Sequence, residues 1–304
     1  MTSLCQRALA GSGLEAAELE RLLKVAREAA EAGGRELRRH FGRLEKVKEK
    51  GTAGNLVTEA DLAAEAAVLA VLAAGTPTVA VLAEESGRLD GQGDLLWCVD
   101  PLDGTTNYAH GYPFFGTSVG LSWRGLPLLG ALEVPVLEEH YWAAPRLGAW
   151  CNGRPLSVSG CGALADSLLV TGFSYDRVRR LDNNYAEFAW FTHRSHGVRR
   201  AGAAAVDLAF VAAGRVDGYW ERGLSPWDLV AGVVLVEEAG GEVCAYDGSP
   251  LDLADGRVIA CTPALRQPLI EGLALCRPLS GASFGAPELD ATAGAPAGGA
   301  AGAP

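Results

Sequence analysis

Long apolar runs are missing from this 304-residue sequence. Nowhere do about 18 apolar residues follow one another, so no transmembrane helix is expected. The start, MTSLCQRALAGSGLEAAELE, lacks a basic segment leading into an apolar one, so no secretory signal is expected either. The seven Cys are dispersed and include no C-x-x-C. They read as reduced thiols, which excludes a disulfide framework and points to a cytoplasmic location. Positive charge is scarce: 26 Lys and Arg against 37 Asp and Glu leave a net charge of −11. Such a surface repels polyphosphates and anionic lipid, which excludes a nucleic-acid polymer or a membrane face as the main partner. Internal repeats are absent. Lys50-Gly51-Thr52 is not a P-loop, because no Gly precedes it at the needed spacing.

What is present is an ordinary globular balance, 49% apolar and 21% charged. Three stretches are expected: a flexible leader over residues 1–13, one folded domain over 14–278 and an Ala/Gly/Pro-rich disordered tail over 279–304. From Leu14 to Phe41, Leu19, Leu22, Leu23, Ala26, Ala30, Gly33 and Leu37 share one face of a helix. Thr58 can cap a second helix that ends near Gly75, with Asp61 where a capping-box acid stands. Short strands are expected at Val79–Leu82 and at Leu95–Val99, the latter stopped by Asp100-Pro101. Three more follow closely at Thr117–Trp123, Leu128–Glu133 and Glu139–Ala143, and Asn152-Gly153 closes a hairpin. Strands then alternate with helices, including Ala203–Ala213 and Pro226–Glu238. The mixture predicts an α/β (α+β layered) fold with mixed sheets.

The chemistry concentrates in Trp97-Cys-Val-Asp100-Pro-Leu-Asp103-Gly-Thr105-Thr-Asn107. An apolar strand delivers two carboxylates, and Gly-Thr-Thr opens what reads as a helix start, where free N–H groups favour an anion. Carboxylates beside an anion site conflict, since two such charges 4 Å apart repel by about 4 kcal/mol at an effective dielectric near 20. A hard divalent cation resolves the conflict by binding both kinds of oxygen, as Mg²⁺ does. Metal-assisted phosphoryl transfer or hydrolysis is the chemistry implied. Glu84-Glu85-Ser86 follows a strand, at the end where α/β sites form. Trp227-Asp228 stands at a helix start, where an acid taken alone is an ordinary N-terminal charge.

Together these segments resemble the inositol monophosphatase family over about residues 15–275. The resemblance rests on Asp100-Pro-Leu-Asp103-Gly-Thr105-Thr-Asn, Pro226-Trp-Asp228-Leu-Val-Ala-Gly232, Lys50 with Leu56-Val-Thr-Glu-Ala-Asp61, Glu84-Glu-Ser86, and Gly202-Ala-Ala204 followed by Asp217-Gly-Tyr-Trp-Glu221. The run from Gly197 to Asp207 is most similar to cyanobacterial and plant-plastid members.

The resemblance implies alternating layers of helices and mixed sheets, and a lithium-sensitive, Mg²⁺-dependent phosphatase working as a homodimer on a small phosphorylated polyol or sugar. It also implies residue roles. Glu84, Asp100 and the Leu102 carbonyl would hold a first Mg²⁺, and Asp100, Asp103 and Asp228 a second. A weaker third would rest largely on Glu84. The Gly104 and Thr105 amides would bind phosphate. Thr105, paired with Asp61, and Glu84 would position a metal-activated water for in-line attack. Asp103, Gly202, Ala203, Ala204, Glu221 and Asp228 would contact the alcohol, and Glu84, Leu102, Gly104 and Thr105 complete the substrate-binding set. Inositol 1-phosphate is the leading substrate, beside L-galactose 1-phosphate, histidinol phosphate, fructose 1,6-bisphosphate and adenosine 3′,5′-bisphosphate.

Two departures stand out. Asn55 replaces the usual Asp before Leu-Val-Thr, and Ala203 lacks the hydroxyl of a Gly-Ser/Thr-Ala triplet. The second bears on substrate preference. An aspartyl-phosphate route would need one residue, not two, between the acids, and would leave Glu84 and Asp228 idle. A non-catalytic binding protein would have no use for Asp61 and Thr105. Arg199-Arg200 reads as a solvated pair, and His193 and His196 as surface groups.

Overall fold

The computed structural model describes residues 2–44, 47–49 and 56–279. Lys50, Asn55 and nearly all of the tail lie outside the described residues. Helix α1 (Leu4–Ser12) and the long α2 (Ala16–His40) precede a two-stranded ribbon, β1 (Val47–Glu49) and β2 (Leu56–Thr58), and α3 (Glu59–Gly75). Strands β3 (Ala80–Ala83), β4 (Gly87–Leu89) and β5 (Leu95–Asp103) lead into a short α4 (Thr105–Ala109). A meander follows: β6 (Gly116–Trp123), β7 (Leu126–Val134), β8 (Glu139–Ala144), β9 (Gly148–Cys151) and β10 (Arg154–Pro155). The rest comprises β11 (Leu168–Thr171), α5 (Tyr185–Thr192), β12 (Gly197–Arg199), α6 (Ala204–Ala212), β13 (Gly218–Glu221), α7 (Pro226–Glu238), β14 (Glu242–Cys244), β15 (Val258–Cys261) and α8 (Arg266–Leu275).

Eight strands form one sheet in the order β10-β9-β8-β7-β6-β5-β3-β4, and five form another in the order β12-β11-β13-β15-β14. Both are mixed: β3–β5 and β11–β13 run parallel, β5–β6 and β13–β15 antiparallel. Helices α2 and α3 cover one face of the large sheet through Leu22, Ala26 and Val68 against Trp97, Val119 and Leu129. Its other face takes α6 and α7, whose Val206, Leu208 and Val233 share a core with Leu132, Tyr141 and, from the small sheet, Tyr219 and Val258. Helix α8 and Phe191 of α5 close the far side against Trp220 and Ile259. Five layers therefore alternate, helices–sheet–helices–sheet–helices. With both faces covered, β6 and β7 are almost wholly buried, so they carry little in-out alternation.

The central helix layer comes very close to the large sheet. A methyl at Gly120 would stand 2.5 Å from Val230 Cγ1, and one at Gly130 2.4 Å from Ala231 Cα. Only glycine lets α7 settle this deep.

The elements fall largely where the sequence places them, with two corrections. Residues 1–13 do not form a loose leader over their whole length. Leu4–Ser12 is a helix whose Leu4, Cys5, Ala8 and Leu9 are buried. The free N–H groups of Leu4 and Cys5 donate to the Glu237 carboxylate of α7, 2.9 Å each, which satisfies a helix start with a distant acid. The other correction concerns β5, which does not stop at Asp100-Pro101 but runs on to Asp103.

Candidate active site

The continuation of β5 carries an irregularity. Asp100 pairs with Ser118 and Asp103 with Gly116, so three steps on β5 match two on β6. Pro101, which has no N–H to give, is accommodated at this bulge, and its carbonyl accepts from Thr117 Oγ1 at 2.9 Å. Regular alternation would send Asp100 and Asp103 to opposite faces. The extra residue lets both line one cavity of about 230 Å³. Gly104 then turns the chain into α4 at φ 91, where a side chain would meet Phe114 O at 3.0 Å.

Other acids arrive from helix starts and a strand end. Asp61 is the third residue of α3, capped by Thr58, and its Oδ2 accepts from Thr58 N at 2.8 Å. Asp228 occupies the same position in α7, Oδ2 accepting from Ser225 N at 2.7 Å. Each acid is thus fixed by the start of its own helix. Glu84 follows β3, with its N–H donating to Val99 O at 3.1 Å. The turn carrying Glu84 is tied down by Glu65 of α3, which accepts from Glu85 N at 2.9 Å and from the Ser86 hydroxyl.

Glu84, Asp100 and Asp228 line the same cavity and act on one another electrostatically. Burial, then Glu84 and Asp103, hold Asp100 well above the usual carboxylate range. Burial, then Glu84, pushes Asp228 up to about 8. Asp103 reaches about 7 by burial, held back by amide hydrogen bonds; its two oxygens accept from Ala204 N (2.9 Å) and Val206 N (3.1 Å). Asp61 is raised by burial and partly restored by Thr58 and Thr105.

Among the described residues, no three of the His, Cys, Asp and Glu side chains converge on one point as ligands. The acids instead crowd one cavity, with Asp100 and Asp103 buried and Glu84 and Asp228 half-buried. That is an unfavourable state for charged carboxylates. Hard oxygen donors in this arrangement suit a divalent cation such as Mg²⁺, which needs few protein ligands. Glu84, Asp100, Asp103, Asp228 and the Leu102 carbonyl are the groups able to hold it.

The opposite wall comes from the small sheet. Glu221, at the end of β13, is pushed up to about 7 by burial and steadied by Tyr219, whose hydroxyl donates to Oε2 at 2.7 Å. Gly172 leaves room for that carboxyl, since a methyl there would stand 2.1 Å from Oε2. Behind it lies Asp207, raised by burial and by Glu221, with an unsatisfied Oδ2. Gly202, Ala203 and Ala204 complete this side together with Arg200 and Tyr175.

The sequence-predicted residues thus come together. Glu84, Asp100, Leu102, Asp103, Gly104, Thr105, Gly202, Ala203, Ala204, Glu221 and Asp228 all line the cavity. Asp61 does not; it lies behind Thr105, whose Oγ1 is 3.0 Å from Asp61 Oδ1 and 3.0 Å from Leu102 O. Sequence reasoning missed Glu65, although its signal was there: it stands four residues after Asp61 on the same helix face. It also missed Gly172, at the end of a strand, and Tyr175, for which the sequence holds no signal. Arg200, read as solvated, is exposed and also lines the cavity.

The model of the inositol monophosphatase family matches residues 18–275. An inositol-1-monophosphatase of Synechocystis sp. is 52% identical over 259 residues, covering 84% of this chain and 90% of that one. A fructose-1,6-bisphosphatase/inositol-1-monophosphatase of Aquifex aeolicus is 38% identical, covering 83% and 95%. The solved inositol monophosphatase of Anabaena (Nostoc) sp. is similar in structure, with a TM-score of 0.80 at 49% identity over 86% of this chain and 98% of that one. No helix among the described residues is long and apolar enough to cross a membrane.

Proposed function

The chain belongs to the inositol monophosphatase family of metal-dependent phosphoric monoester hydrolases, and we propose that it is a Mg²⁺-dependent phosphatase whose leading substrate is inositol 1-phosphate. The observation carrying this reading is the convergence of Glu84, Asp100, Asp103 and Asp228 on one cavity beside a hydroxyl held by a buried acid. The names of the Synechocystis and Aquifex relatives support it.

In this reading Glu84, Asp100 and the Leu102 carbonyl would hold one Mg²⁺, and Asp100, Asp103 and Asp228 would hold a second. Bound there, the cations would neutralise phosphate charge and lower the pKa of water. Asp103 retains lone pairs for this purpose, because each of its oxygens accepts only one amide. The Gly104 and Thr105 amides, free of helix partners at the start of α4, bind phosphate oxygens. Thr105 has one hydroxyl proton. Giving it to Asp61 leaves its lone pairs facing the cavity, ready to accept from the attacking water and orient it in line with the scissile P–O bond. Glu84 draws off the water's second proton; as the water oxygen bonds to phosphorus, the P–O bond to the alcohol breaks and the leaving oxygen takes up a proton. Asp103, Gly202, Ala203, Ala204, Glu221 and Asp228 contact the alcohol portion. The proposed assembly is a homodimer, to be checked by light scattering.

Phosphate release tests the reading over inositol 1-phosphate, L-galactose 1-phosphate, histidinol phosphate, fructose 1,6-bisphosphate and adenosine 3′,5′-bisphosphate with Mg²⁺. Turnover of inositol 1-phosphate, abolished by chelator, is expected. No turnover of any of the five would refute it.

A further inference from the structure

The Pro101–Leu102 peptide lies in the bulge of β5, where both residues stand opposite Thr117 of β6. Ladder bonding is disrupted at such a point, so the polar groups there need other partners. Side chains supply them. The Leu102 N–H donates to Asp100 Oδ1 at 3.0 Å, and the Pro101 carbonyl accepts from Thr117 Oγ1 at 2.9 Å. A trans peptide is one rigid plane, with its C=O and N–H directed oppositely. A single plane therefore ties the Thr117 hydroxyl at one end to the Asp100 carboxylate at the other.

The two partners differ in origin. Asp100 belongs to the segment being held, whereas Thr117 comes from a neighbouring strand. Thr117 is itself firmly seated. It is wholly buried, pairs across the sheet with Glu133 of β7, and faces α2, where a methyl on Gly33 would stand 2.6 Å from Thr117 Cγ2 and 3.0 Å from Oγ1. A valine would suit a buried strand at least as well, so strand formation alone gives no reason for a hydroxyl here.

We propose that Thr117 is a positioning residue of the metal site: its hydroxyl fixes the Pro101–Leu102 plane, and through it aims the Asp100 carboxylate and the Leu102 carbonyl at the cation. The inference rests on the metal-dependent phosphatase reading and adds no step to its chemistry. Thr117 acts only through the peptide. Removing a partner that orients a metal ligand costs about 10- to 100-fold in metal affinity. With one peptide in between, the lower end of that range is expected.

Titration calorimetry of Mg²⁺ into the metal-free full chain provides the test. Thr117→Val keeps the shape and drops the hydroxyl, so its Kd for Mg²⁺ should be about tenfold weaker than that of the wild type. Thr117→Ser drops the methyl packed under α2 but keeps the hydroxyl, so its Kd should match the wild type even where its Tm falls. A purely structural role would instead make Kd follow Tm. Equal Kd in the wild type and Thr117→Val, equal weakening in both variants, or a wild type that takes up no Mg²⁺ overturns the assignment. Should Thr117→Val fail to fold, Thr117→Ser against Thr117→Ala decides in the same way, since both lack the methyl and only one has the hydroxyl. Phosphate release from inositol 1-phosphate is followed in the same proteins. If the wild type binds Mg²⁺ but releases no phosphate from any of the five compounds, the phosphatase reading falls, and the comparison of Kd values still decides Thr117.

Discussion

Asp61 closes its own helix with one carboxylate oxygen and holds Thr105 with the other. Oδ2 takes the Thr58 amide at 2.8 Å and the Thr58 hydroxyl at 2.6 Å, and Oδ1 faces Thr105 Oγ1 at 3.0 Å. The carboxyl therefore has little freedom to swing. Removing the Thr105 hydroxyl while keeping the backbone should lower kcat by about 10²-fold, the scale of a positioned proton-transfer group. Thr105→Ala should show that loss and Thr105→Ser should restore most of it, with circular dichroism unchanged. Equal activity in all three proteins would remove Thr105 from the mechanism.

Asp228 and Glu221 should separate kinetically. In the proposed roles Asp228 stands on the side where charge develops as the P–O bond breaks, so Asp228→Asn should act mainly on kcat. Glu221 accepts from the Tyr219 hydroxyl and is proposed to face the alcohol, so Glu221→Gln should raise KM and reorder substrates. Both are read at saturating Mg²⁺. The reverse pattern would mean that the two walls had been assigned the wrong way round.

The acids also set a pH dependence of stability in metal-free protein. Asp103 at about 7 and Asp228 at about 8 lie above their unfolded value, so the folded state keeps protons that the unfolded chain releases. Their contribution is complete below about pH 4 and is lost as pH rises through 7 to 8. The Tm of chelated protein should therefore fall between about pH 5 and pH 8.5. Added Mg²⁺, replacing the protons, should raise Tm more at the higher pH. Calorimetric scans check both slopes, and a Tm shift by Mg²⁺ that is larger at the lower pH would contradict this picture.

Deleting residues 1–13 should destabilise the fold. Leu4, Cys5, Ala8 and Leu9 are buried, and two leucines alone correspond to about 3–6 kcal/mol of lost burial. For a chain of this size that is a drop in Tm on the order of 10 °C. A melt unchanged by the deletion would show α1 to be dispensable.

Much of this was legible in the sequence, and the reasons are local. Thr58 and Asp61 announce α3 because a capping box needs only four consecutive residues. Pro226 announces α7 in the same way. The course of β5 was not legible, because the bulge at Pro101 is fixed by pairing with β6. Helix α1 was missed because its first N–H groups are satisfied by Glu237, more than two hundred residues away. Arg199 and Arg200 are both exposed, as a solvated pair should be, and that Arg200 also borders the cavity depends on a fold the pair itself does not reveal. The five-membered acid set was recognisable through resemblance, while its convergence on one cavity arises only when the ends of β3, β5 and β13 and the start of α7 meet.

A fifth expectation follows from the tie at Glu65. Its carboxylate holds the turn that carries Glu84, so Glu65→Ala leaves the Glu85 amide without that partner. Activity should fall about tenfold, and the loss should be partly offset by raising Mg²⁺, if Glu84 is a ligand. Indifference to Mg²⁺ concentration would separate Glu65 from the cations.

The two walls belong to different sheets. Asp100 and Asp103 come from the large one, Glu221 from the small one, and the amides of Ala204 and Val206 are fastened to Asp103 across the seam. A lineage can therefore alter the small-sheet wall, one exchange at a time, and acquire a taste for new alcohols without rebuilding the half that breaks the bond. Asp103 is the exception. It stands in both halves, so drift at that position is felt by diet and digestion alike.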